Sequence, residues 1–145
     1  MKIIDTNFRF DDGATTCMIT TDTGDTFIGQ AFCHEADQDM YSERTGGEIA
    51  FRRAKMKMLK AIRTHEIRPA LKALKHLSGC MVKSVNFNAK SYENKMLQRQ
   101  IRQLEFDLTT INEMLTNEKQ SLKDYIAGKE KIFKRIRAKN QDKND

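Results

Sequence analysis

Tryptophan is absent from this 145-residue chain and proline occurs once, at Pro69. So little proline argues against a loop-rich fold and for long regular elements. No apolar run reaches the roughly 18–20 residues that a membrane-spanning helix needs, so no membrane partner is expected. The opening "MKIIDTNFRF" lacks the apolar core and small-residue cleavage site of a signal peptide. Only three cysteines occur (Cys17, Cys33 and Cys80), odd in number and far apart. That pattern suits reduced thiols in a cytoplasm and excludes a disulfide framework. Catalytic signatures are also missing. His34, His65 and His76 are scattered, and none stands beside an obvious nucleophile. Cys33–His34 is half of a metal-binding pattern whose other half does not occur. Asp37, Asp39 and Glu43 read as solvated surface. No catalytic residue, metal site or cofactor is expected, and the chain reads as a non-enzyme.

What is present is charge, unevenly placed. The formal net charge is +6, yet residues 1–48 hold three Lys/Arg against ten Asp/Glu. The remainder holds 23 against 10. An acidic front therefore precedes a basic body. Either the basic part binds an anion, or the two parts pack with complementary fields.

The pattern along the chain predicts an α+β fold: an N-terminal antiparallel β meander, a Pro-kinked helix and a long C-terminal coiled-coil helix. "IIDTNFRF", "TTCMITT" and "TFIGQAFC" read as strands, separated by the Gly-containing turns "DDGA" and "DTGD". Gly29 inside the third strand predicts a bulge or a close backbone approach. Residues 34–44 read as an acidic loop. Thr45 and Glu48 match a capping box at the start of a helix reaching about Ile67. Pro69 is then expected to end or kink it, with Gly79 stopping the piece that follows. Residues 80–90 read as a β-prone connector.

The last segment carries the strongest periodicity. Leu97, Ile101, Leu104, Leu108, Ile111, Leu115, Glu118, Leu122, Tyr125, Lys129, Ile132 and Ile136 alternate spacings of four and three. That is a heptad register along a helix of roughly 60 Å. A partner helix broken at Pro69 would be too short to cover this stripe. A second copy of the chain is therefore expected along the long helix, with Glu118 and Lys129 pairing to fix its register. The expected division is residues 1–90 as sheet plus helix, 91–139 as oligomerising helix and 140–145 as a disordered tail.

Several residues suit an anionic ligand. Gly46 and Gly47 open a helix, whose first amides attract anions. Thr45 and Glu48 already cap that end, however, so the turn reads chiefly as a helix start. Arg52 and Arg53 leave the helix on different sides, and one of them can reach a ligand or a subunit. Phe106 falls at the outermost heptad position, so it packs on another surface or stacks on a nucleobase. Arg102 shares its face one turn earlier. In "KEKIFKRIRAK", Lys131 and Arg135 lie one turn apart and can clamp a pyrophosphate, or simply belong to a solvated basic helix end.

The run "FIGQAFCHEADQDMYSERTGGEIAFRRAKMKMLK", followed by a long coiled helix, resembles the first Thoeris anti-defence family. Phe27, Gly29, Ala31, Cys33 and His34 carry the first part of the likeness. Ser42, Glu43, Thr45, Gly46, Ile49, Ala50, Arg53 and Ala54 carry the second. The resemblance implies a phage protein of the infected bacterial cytoplasm with an N-terminal antiparallel sheet and long helices, assembled as a homodimer or hexamer. It implies a sponge that binds a cyclic ADP-ribose isomer without degrading it, and in some members cyclic oligonucleotides as well. The family holds its ligand with an aromatic residue on adenine and arginines on the pyrophosphate. Phe106, Lys131 and Arg135 are the physical choices for those roles here, beside Arg52, Arg53 and Arg102. Duplex nucleic acid is the competing partner, since three strands and a basic helix resemble half of a double-stranded RNA-binding domain. That fold's first helix is missing, and the acidic loop would repel a duplex. A purely structural coiled-coil adaptor is the third reading.

Overall fold

The computed structural model describes residues 1–33 and 42–143. Three strands form one sheet in the order β1-β2-β3: β1 (Ile3–Asp11), β2 (Ala14–Thr21) and β3 (Thr26–Phe32). Both pairings are antiparallel, with Phe8 opposite Cys17 and Cys17 opposite Gly29. The turns need left-handed backbone at Gly13 (φ 76°) and Gly24 (φ 85°), which glycine adopts without steric cost. Helix α1 (Glu43–Ala61) follows, then a π segment (Ile62–Ile67), α2 (Arg68–Val82) and α3 (Tyr92–Gln141). The α+β architecture read from the sequence is therefore the observed one. The acidic stretch with His34, Asp37 and Asp39 lies outside the described residues, as do the last two residues of the expected tail.

Tertiary contacts group the chain into two compact units, Met1–Met58 with Thr116–Asp145, and Leu59–Leu115. In the first, one face of the sheet is closed by α1. Thr15, Cys17, Ile19 and Thr21 on β2 are buried, and so are Ala31 on β3 and Ala50 and Ala54 on α1. Gly29 shows why these residues are small. A Cβ there would overlap the Ala50 carbonyl oxygen and the Ala54 nitrogen, and would sit 3.0 Å from the Ala50 carbonyl carbon. This is the close approach predicted at Gly29. Arg53 donates to the Gln30 carbonyl at 2.6 Å and Lys57 to the Ile28 carbonyl at 2.5 Å. The outer edge of β3 is thereby covered by side chains of α1, a protection that edge strands need.

The second unit contains the kink expected at Pro69. The chain stays helical through Pro69, giving a kinked helix of 40 residues. Proline removes one amide and crowds the carbonyl four residues back. The π segment absorbs this just upstream, where the Arg68 N–H bonds to the Arg63 carbonyl five residues back. The helix also runs past Gly79, and Cys80–Val82 are helical, not a β-prone connector. Packing outweighs the roughly 1 kcal/mol that a mid-helix glycine costs. Leu71, Leu74 and Met81 meet Leu97, Ile101, Leu104 and Leu108 in one apolar cluster. Turns over residues 83–91 lead to Ser91, whose Oγ caps α3 through the Asn94 N–H at 3.2 Å.

The heptad stripe is consequently covered within the chain over much of its length. Leu97, Ile101, Ile111, Leu115 and Leu122 are buried without any second copy, while Ile132 and Ile136 remain substantially exposed.

Candidate functional site

The start of α1 is built differently from the predicted capping box. Ser42 is the cap: its Oγ accepts from the Thr45 N–H at 3.4 Å, and its carbonyl accepts from the Gly46 N–H at 2.9 Å. Glu48 does not bond back to the cap. It pairs one turn onward with Arg52 at 2.7 Å. Glutamate at this position is thus used along the helix face, and a serine one turn earlier does the capping.

Around this helix start the first unit forms a cleft of about 170 Å³. The end of β3 contributes Ala31, Phe32 and Cys33, and α1 contributes Thr45, Gly46 and Ile49. From α3 come Ile126, Lys129, Glu130 and Phe133. Lys129 and Phe133 share a face because four residues make one turn. The wall is chiefly apolar, with two phenyl rings, one ammonium and one carboxylate. A near-neutral, aromatic cleft of this volume fits a nucleobase better than a pyrophosphate. Phe32 is 73% exposed at the rim, so a ring is available for stacking.

Beside the cleft runs a polar ladder. Arg52 donates to Glu118 at 3.2 Å and to Ser121 at 2.9 Å, besides its bond to Glu48. Lys55 approaches Glu118 at 3.5 Å. The Glu48 hydrogen bond, opposed by desolvation, pushes the Arg52 guanidinium further above its already high pKa. Two cations approach the Tyr125 ring, Arg52 at 5.9 Å and Lys129 at 5.4 Å from its centroid. Glu118 and Lys129, expected to pair between copies, therefore each have partners within the chain.

Of the six residues chosen from sequence, four lie in the first unit and two in the second. Arg52 is held in the ladder, and Arg53 is held on the Gln30 carbonyl. Lys131 and Arg135 are exposed on α3 and do not line the cleft. Arg102 and Phe106 belong to the other unit, where Phe106 is 67% exposed, as its outer heptad position predicts. Sequence reasoning missed Lys129 and Phe133. Lys129 was read as a charge in an intersubunit seam, and only the position of β3 and α1 turns its face into a wall. The residues carrying the family likeness have mainly architectural work: Gly29, Ala31, Ala50 and Ala54 form the sheet–helix contact, and Arg53 covers the β3 edge.

Among the described residues no group of three or more His, Cys, Asp or Glu comes together to hold a metal. No helix among them is long and apolar enough to cross a membrane. No protein-family model, curated protein or solved structure matches the chain.

Proposed function

We propose that this protein is a non-catalytic sponge for a cyclic ADP-ribose isomer, acting in the cytoplasm of a phage-infected bacterium to block Thoeris signalling. The resemblance set out above motivates the reading, and the aromatic cleft at the start of α1 is the observation that carries it. Adenine would enter between Phe32 and Phe133, with Ile49 and Ile126 behind it. The Glu130 carboxylate can accept from the exocyclic amine, and the Lys129 ammonium would meet a phosphate. One base stack contributes about 1–3 kcal/mol. One charge-assisted bond adds about 1.5–3 kcal/mol. Together they support gross binding between roughly tens of millimolar and tens of micromolar. A tighter sponge needs further cations, and Lys131 and Arg135 stand exposed on the same stretch of α3.

The test is release of bound nucleotide. The protein is incubated with a mixture of cyclic ADP-ribose isomers, freed of unbound nucleotide, heated, and the supernatant analysed by mass spectrometry. Intact nucleotide, lost in Phe133→Ala and Lys129→Ala, supports a sponge seated in this cleft. Altered nucleotide means an enzyme, and none at all overturns the proposal. Double-stranded nucleic acid is the second reading, favoured by the exposed Lys134, Arg135 and Lys139 near the end of α3. Binding of that kind falls steeply with salt because phosphate contacts release counterions, whereas a pocketed nucleotide depends on salt far less.

A further inference from the structure

The two edges of the sheet are treated differently. On β3 the outward carbonyls of Ile28 and Gln30 are bonded by Lys57 and Arg53. On β1, the other edge, no side chain from another element bonds the outer backbone among the described residues. Eight of its nine residues are exposed, and Ile4, Phe8 and Phe10 among them are 66%, 45% and 41% exposed. A nine-residue open edge with exposed apolar side chains is a template for another strand.

The register identifies the backbone groups on offer. In an antiparallel ladder a residue's N–H and C=O point to one side, and successive residues alternate. Ile28 and Gln30 point away from β2. Through the pairs Met18↔Ile28 and Asn7↔Met18, Asn7 and then Arg9 must point into the sheet. Thr6, Phe8 and Phe10 therefore turn their backbone groups outward. The Thr6 N–H agrees, since it is accepted by its neighbour's Asp5 Oδ1 at 2.9 Å and not by β2.

We propose that β1 pairs antiparallel with β1 of a second copy of this chain, about a two-fold axis at Asn7, joining two three-stranded sheets into one of six strands. Charge selects the register. Centred on Asn7, Asp5 lies opposite Arg9 of the other copy, and the symmetry repeats the pair. Moving the axis to Phe8 sets Asp5 against Asp11, and moving it to Arg9 sets Arg9 against Arg9. Moving it to Thr6 sets Asp5 against Asn7 and loses both ion pairs. The Asn7-centred register also joins the outward residues Thr6 and Phe8, so their backbone groups bond once the Thr6 N–H exchanges Asp5 Oδ1 for the Phe8 carbonyl of the other copy, and part of the exposed Phe8 side chain is covered. Among the described residues the only charged partner of Arg9 is Asp11 at 2.9 Å, and both side chains are exposed, so exchanging it costs little. This interface lies at the sheet edge, and it is independent of what the cleft binds.

Charge reversal tests both the surface and the register. Sedimentation of the full chain is expected to give twice the 16.8 kDa protomer mass at high micromolar concentration. Asp5→Arg and Arg9→Asp each place like charges at both symmetric positions and should weaken the dimer by about tenfold or more. The double variant restores opposite charges and should return to near wild-type affinity, with unchanged circular dichroism as the folding control. Should the charge variants misfold, Asn7→Cys in a Cys80→Ser background provides a second readout. The axis brings the two position-7 Cα atoms within disulfide reach, about 4.4–6.8 Å. That variant should cross-link under mild oxidation, and Arg9→Cys, four residues from its symmetry mate's level, should not. A wild type that stays monomeric, or a dimer indifferent to all of these substitutions, overturns the proposal.

Discussion

Gly29→Ala is the sharpest probe of how the sheet and α1 are joined. The added methyl would sit 3.0 Å from the Ala50 carbonyl carbon and nearer still to its oxygen, whereas ordinary contact begins at 3.4 Å. Both obstacles are backbone, so no side chain can swing aside. Helix α1 must withdraw by roughly 1–1.5 Å, and a gap of even 1 Å forfeits a quarter to a half of each dispersion well it opens. Cys17, Ile19, Ala31, Ala50 and Ala54 all lie in that contact. Overpacking of this kind costs about 1–3 kcal/mol. The Arg53 and Lys57 bonds to β3 stretch at the same time and add a smaller loss, because both side chains are solvent-accessible. A total of about 3 kcal/mol is a large share of the 5–15 kcal/mol typical of a folded chain. With no tryptophan to report, urea unfolding would be followed by circular dichroism at the helix band. The midpoint should fall by about 1–2 M for an ordinary m-value. Gly79→Ala is the matched control. Nothing lies within 4 Å of a Cβ at Gly79, which sits inside α2. There the same substitution should stabilise by about 0.5–1 kcal/mol through helix propensity alone. Equal effects at the two glycines, or an unchanged midpoint for Gly29→Ala, would refute the close-approach argument.

Two further outcomes follow from the polar groups of the first unit. Glu118→Gln removes the carboxylate shared by Arg52 and Lys55, whose side chains are 24% and 34% exposed. The cost should be about 1–2 kcal/mol in urea unfolding, between the values for buried and fully exposed pairs, because Arg52 keeps Glu48 and water screens the rest. Unchanged stability would show that the ladder is ornamental. Cys17 is fully buried, and burial raises its thiol pKa. A raised folded-state pKa means that this contribution to stability is fully present below the unfolded-state value near 9.0 and is lost as pH rises through the folded one. In a thiol-labelling time course near pH 8, the exposed Cys80 should react quickly and Cys17 only at the rate of unfolding. Fast labelling of Cys17 in the folded protein contradicts its placement under α1.

The sequence alone determined the features that are written in local periodicity. Alternation over residues 3–32 with Gly13 and Gly24 at positive φ specified the meander, because two-residue periodicity and left-handed turns need no distant partner. Four–three spacing from Leu97 onward specified a long helix for the same reason, and it placed Phe106 on the outside. Gly29 announced a close approach, although not to which residues. Tertiary structure decided everything that depended on a competing distant contact. Pro69 and Gly79 are local breakers, yet burying Leu71, Leu74 and Met81 against α3 outweighs the one or few kcal/mol they cost. Within the second unit those residues cover Leu97 and Ile101 from within the chain, which the spacing of the stripe cannot reveal. Ser42 and Thr45 are equivalent as caps on paper, and the position where the chain leaves the sheet chooses between them. Lys129 and Phe133 become cleft walls only because β3 and α1 lie opposite them, a pairing that no pattern along the chain encodes.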